Sequence, residues 1–94
     1  MTEVLMQIDD TNKNIMFGCK NHAGDKDVCI MCSTLCNVLI AACDRANVES
    51  VQTGDALVRI IAYDTDPNLV ETFYIVKDVF DEIAEQFPDS INIL

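Results

Sequence analysis

Leu69, Val70, Phe73, Val76, Phe80, Ile83 and Phe87 recur in steps of three and four, between Asp66-Pro67 and Pro88. That spacing predicts an amphipathic helix with one apolar stripe. Asp66 is placed to cap it, Pro67 suits the first helical position, and Pro88 stops it. A second run, from Asp27 to about Ala46, places Val28, Cys32, Leu35, Cys36, Leu39 and Cys43 in the middle of a wide apolar arc. Ser33, Asn37 and Asp44 mark the opposite, wet face, and Asp27 is the expected N-cap. Two helices with one apolar face each need a common partner to cover them. Only the remaining segments can supply it.

Those segments alternate. Val4, Met6 and Ile8, then Ile15, Phe17 and Cys19, predict two strands joined through the polar cluster Asp9 to Asn14. Val48 to Gln52 and Ala56 to Tyr63 predict two more, joined at Thr53-Gly54-Asp55. The second of these is apolar on both faces apart from Arg59, as expected of a central strand or one covered by an interface. Ile91 and Ile93 form a short last strand. The order β-β-α-β-β-α-β implies an α+β, two-layer fold, with two helices packed on a largely antiparallel sheet. With 94 residues there is one core, so residues 1–94 form one domain. The apolar surface left on so small a fold favours a homodimer.

The five cysteines do not read as a disulfide scaffold. Cys29, Cys32, Cys36 and Cys43 share one predicted helix, an odd thiol remains, and no basic n-region precedes an apolar, cleavable segment. Reduced thiols in the cytoplasm are expected. Val28 to Cys43 reads as too short and too polar to span a membrane. A formal net charge of -10 disfavours nucleic acid and suits a basic protein or peptide.

One segment carries candidate chemistry: Asn21-His22-Ala23-Gly24-Asp25-Lys26-Asp27-Val28-Cys29. It holds the only histidine and ends in a cysteine in the first turn of a helix, where thiolates are most easily stabilised. The helical wheel sets Cys29 at the edge of the apolar arc, apart from Cys32, Cys36 and Cys43, which read as small core hydrophobes. Cys29 is the candidate nucleophile and His22 its proton acceptor. Asp25 or Asp27 would complete a loose triad by orienting the imidazole, and backbone N–H groups near Cys29 would stabilise an oxyanion.

Two other chemistries use the same residues. His22 with Cys29, Cys32 and Cys36 offers four soft metal ligands. On a continuous helix, however, Cys29 and Cys36 lie about 10 Å apart along the axis. Cys29-x-x-Cys32 matches a redox pair at a helix start, although the wheel turns Cys32 inward. No cofactor or metal is expected.

His22-Ala23, the glycine- and aspartate-bearing loop, Asp27-Val28-Cys29 and Ser33 resemble the signature of the ribosomal-processing cysteine protease family, Prp. The opening strand pair, the hairpin at Gly54 and the closing Phe87-Pro88-Asp89-Ser90-Ile91-Asn92-Ile93 are similar too, so the resemblance spans nearly the whole chain. It implies a homodimeric cysteine endopeptidase that removes a short N-terminal extension from a basic large-subunit ribosomal protein. Cys29 matches the nucleophile, His22 the general base and Ser33 the helix serine. The sequence departs from the family pattern in three ways. Asn21 replaces a glycine, the loop from His22 to Cys29 is short, and the aspartate three residues before the cysteine is displaced, with Asp27 the favoured substitute. Bulky Ile30 and Met31 also follow Cys29 where small residues are usual. The competing expectation is a catalytically silent, homodimeric protein-binding module on the same scaffold.

Overall fold

Alternation in the first twenty residues builds a hairpin, β1 (Thr2–Asp9) paired antiparallel with β2 (Asn14–Lys20), in the computed structural model, which describes residues 1–94. The Asp9 carboxylate accepts the N–H groups of Thr11 and Asn12 at 3.1 and 3.2 Å, an Asx-type turn. Lys13 then takes a left-handed φ of 55° to re-enter the sheet.

The remaining elements are α1 (Lys26–Arg45), β3 (Val51–Gly54), β4 (Leu57–Ala62), α2 (Pro67–Gln86) and β5 (Ile91–Ile93). The sheet order is β3-β4-β2-β1-β5, with every pairing antiparallel except β1 with β5. This is the expected α+β arrangement in the expected order. β4 lies between β3 and β2, which explains its apolar character as a central strand.

Several boundaries differ from the sequence reading: β3 runs on to Gly54 instead of stopping at Gln52, so the turn is Asp55-Ala56, and β4 is one residue shorter at each end than Ala56 to Tyr63. The third strand starts at Val51 rather than Val48, because Asn47 turns left-handed (φ 59°) and Val48 packs half-buried against the core before pairing begins. The cap of α1 is Asp25, not Asp27. Asp25 is extended (φ -92°, ψ 125°), and its carboxylate accepts the N–H groups of Asp27 at 2.8 Å and Val28 at 3.3 Å. Asp27 lies inside the first turn, where a negative charge still suits the helix dipole. α2 begins as expected, with Asp66 accepting the Asn68 N–H at 2.7 Å and Pro67 opening the helix.

The core is where β2 meets both helices. Phe17 stands edge-on to Phe73 at 6.3 Å and tilted against Phe80 at 6.0 Å, and all three are fully buried. From α1 come Val28, Cys32, Cys36, Leu39 and Cys43, while Leu35, expected among them, is half-buried at the margin. Over its full 20 residues α1 is long and apolar enough, by length and composition, to cross a membrane, which corrects the shorter count from Val28 to Cys43. Its apolar residues form part of the core of this fold. The opposite sheet face has no helix on it, and Met16 and Leu57 are each 41% exposed and Tyr63 73%.

Phe17→Ala should destabilise the fold by about 3–5 kcal/mol. The measurement is a urea transition whose midpoint falls while its slope is kept. A loss below about 1 kcal/mol would show that Phe17 is not the packing centre.

Candidate active site

The site begins where β2 ends. Asn21 leaves the strand with φ 70°, a left-handed conformation that asparagine tolerates better than other non-glycine residues. An asparagine in place of the family's usual glycine is therefore compatible with the turn. Its N–H donates to the Ala56 carbonyl at 2.9 Å, and its carbonyl accepts from the buried Thr2 hydroxyl at 3.0 Å. Those two bonds fix the backbone that presents His22. Gly24, by contrast, has no positive φ, and a Cβ added there would meet nothing within 4 Å.

Cys29 is the fourth residue of α1 and half-buried, as the wheel implied. Its Sγ lies 3.7 Å from His22 Nδ1 and 3.9 Å from the Ala23 carbonyl oxygen. The short loop thus brings the two expected partners together. Asp25 is committed to capping the helix, and Asp27 is exposed in the first turn with no hydrogen bond or ion pair to His22. The carboxylate that faces the imidazole is Asp55, whose Oδ1 lies 3.8 Å from Nε2. Sequence reasoning misses it, because nothing in the hairpin signal Thr53-Gly54-Asp55 points to His22.

The backbone donors near Cys29 are already occupied. The N–H groups of Asp27 and Val28 bond to the Asp25 carboxylate, and that of Cys29 bonds to the Asp25 carbonyl at 3.0 Å. An oxyanion hole built from these three is therefore excluded in this conformation. A cavity of about 260 Å³ runs beside the sulfur, between α1 and the β3–β4 hairpin. Cys29, Ser33 and Asn37, one turn apart on α1, line one wall, so two of the residues on the wet face, Ser33 and Asn37, border the cavity. Cys19, Cys32 and Cys36 also line it, and its only ionisable groups are His22 and the cysteines.

Burial pushes the Cys32 thiol from an ordinary 9.0 up to about 11, helped by the neighbouring Cys19 and Cys29. Burial likewise holds Cys43 at about 11, and the contact with Cys19 followed by burial holds Cys36 up. Cys32 is thus a protonated core thiol at neutral pH, a poor match to the redox reading. α1 is unbroken from Cys29 to Cys36, and no three His, Cys, Asp or Glu side chains are grouped to hold a metal ion.

No protein-family model matches the chain, and no curated protein matches it either. A solved structure does: the crystal structure of an essential ribosomal processing protease, Prp, from S. aureus, in complex with a covalently linked product peptide. It superposes with a TM-score of 0.78 over 99% of this chain and 97% of that one, at 18% sequence identity. The fold is that of Prp. The resemblance first seen in scattered motifs thus extends to the whole architecture.

Thiol labelling at neutral pH should modify Cys29 first and leave Cys32, Cys36 and Cys43 protected, as read by peptide mass mapping. The raised thiols also set an alkaline limit. Unfolded cysteines ionise near the ordinary value, so keeping Cys32 and Cys43 protonated stabilises the fold fully below about pH 9. That contribution is lost as pH rises towards about 11. The urea midpoint should fall across this window, and a flat profile would contradict the burial of these thiols.

Proposed function

We propose that this protein is a cytoplasmic cysteine endopeptidase that removes a short N-terminal extension from a basic ribosomal protein. One observation carries the reading: Cys29 Sγ and His22 Nδ1 are 3.7 Å apart at the head of a helix, in a Prp fold. That separation suits an unbound nucleophile–base pair, which tightens when substrate arrives.

In this reading, His22 takes the Cys29 proton through Nδ1, and the thiolate attacks the scissile carbonyl carbon. Its oxygen becomes an oxyanion in the tetrahedral intermediate. Because the helix N–H groups are occupied, the donors for that oxygen are side chains. The Ser33 hydroxyl is the favoured one, one turn beyond Cys29 on the same cavity wall. His22, now protonated, gives its proton to the departing amine as the C–N bond breaks, leaving a thioester on Cys29. His22 then deprotonates a water that attacks the thioester. The carboxylate product leaves, and the thiol is restored.

The charge of -10 supports a basic substrate by steering its approach. Five unpaired cysteines fit a reducing compartment. A second copy of the chain is the proposed cover for the helix-free sheet face, where Leu5, Met16 and Ile61 lie on the side away from the core.

The deciding experiment incubates the protein with the ribosomal-protein precursor from the same genome, followed by intact-mass measurement. A defined N-terminal loss is expected. Cys29→Ala should remove it by orders of magnitude while keeping the circular-dichroism spectrum. Precursor bound but uncut by the native protein would instead favour the silent binding module.

A further inference from the structure

We infer that Asp55 is a positioning residue: its carboxylate, 3.8 Å from His22 Nε2, closes to accept the hydrogen of that nitrogen and thereby holds Nδ1 towards the Cys29 sulfur. The inference rests on reading Cys29 and His22 as the reacting pair. An imidazole that takes a proton on Nδ1 must carry its own hydrogen on Nε2, and an acceptor beside Nε2 selects that tautomer. The two contacts fall on opposite ring nitrogens, 3.7 Å from Nδ1 to sulfur and 3.8 Å from Nε2 to the carboxylate.

The placement comes from the backbone. Asn21 precedes His22 and Ala56 follows Asp55, and these two neighbours are joined by the 2.9 Å N–H to carbonyl bond. Both are left-handed, with φ of 70° and 52°. Non-glycine residues rarely adopt that conformation, yet here two of them meet at one hydrogen bond. The β2–β4 ladder, which ends at Lys20 opposite Leu57, delivers both turns to the same point. His22 has no other carboxylate within 4 Å, and Asp55 makes no other ion pair. Its side chain is fully exposed, so it carries no packing role. Water screens the contact at a side chain this exposed.

Charge alone would act in the same direction, because the carboxylate lies nearer the imidazolium than the sulfur and its removal disfavours the imidazolium–thiolate pair. The neutral Asp55→Asn, which keeps an acceptor but not the charge, therefore separates orientation from charge.

The experiment measures the rate at which iodoacetamide alkylates Cys29 at neutral pH, resolved by peptide mass mapping. Asp55→Ala should slow it roughly two- to fivefold, the scale of an exposed pair. Asp55→Asn, which keeps an acceptor oxygen, should restore most of the rate. In a His22→Ala background, Asp55→Ala should change nothing. An unchanged or faster rate in Asp55→Ala, an Asp55→Asn rate as slow as that of Asp55→Ala, or the same slowing without His22, would overturn the inference. The measurement does not depend on peptide cleavage. Asp55-dependent alkylation in a native protein that cuts no precursor would support the positioning role and refute the protease reading.

Discussion

The placement of His22 depends on β2. This strand is hydrogen-bonded on both sides, to β1 and to β4, so its position is set twice over. Its middle residue, Phe17, is locked between Phe73 and Phe80 of α2. Three residues later the strand ends at Lys20, and at Asn21 the chain turns left-handed to present His22. A strand so constrained cannot shift by one residue without turning Phe17 out of the core. The backbone at His22 inherits that position. The apolar packing that stabilises the domain therefore also fixes where its one histidine stands.

The fold was legible because the sequence repeats itself at the right periods. The three- and four-residue steps from Leu69 to Phe87, and the alternation through Val4, Met6 and Ile8, are local signals that survive folding unchanged. The cap of α1 was harder to read. Asp25 and Asp27 are both good caps, and the choice depends on which one stays extended, a property of the turn that arrives from Asn21. The His22–Cys29 contact was legible as well, since a seven-residue separation ending in a helix start leaves little freedom. Asp55 was not. It lies 33 positions from His22 (55 less 22), in another hairpin, and only the β2–β4 register brings the two together. No periodicity encodes that meeting.

One helix accommodates four cysteines because depth separates their chemistry. Cys32, Cys36 and Cys43 are buried with the core aliphatics, and burial keeps Cys32 and Cys43 protonated at neutral pH. Cys29 lies on the margin of the same stripe, beside the histidine. A rotation of one position along the helix would exchange these environments. The chemical identity of the residue therefore says little here, and its angle on the helix says most.

The way α1 begins decides what can activate the sulfur. A bare helix N-terminus would offer partial positive charge and free N–H groups to a thiolate. Here the Asp25 carboxylate occupies that end, taking two of the N–H groups, and the Cys29 N–H is bonded within the turn. Asp27 adds a second negative charge to the same turn. The dipole is thus largely answered before the thiol can use it, and the loop brings two acidic groups where a purely electrostatic activation would want none. Proton transfer to a correctly turned imidazole is the route left open. For the proposed reaction, the orientation of His22 and the hairpin 3.8 Å from its far nitrogen therefore matter more than the helix on which Cys29 stands.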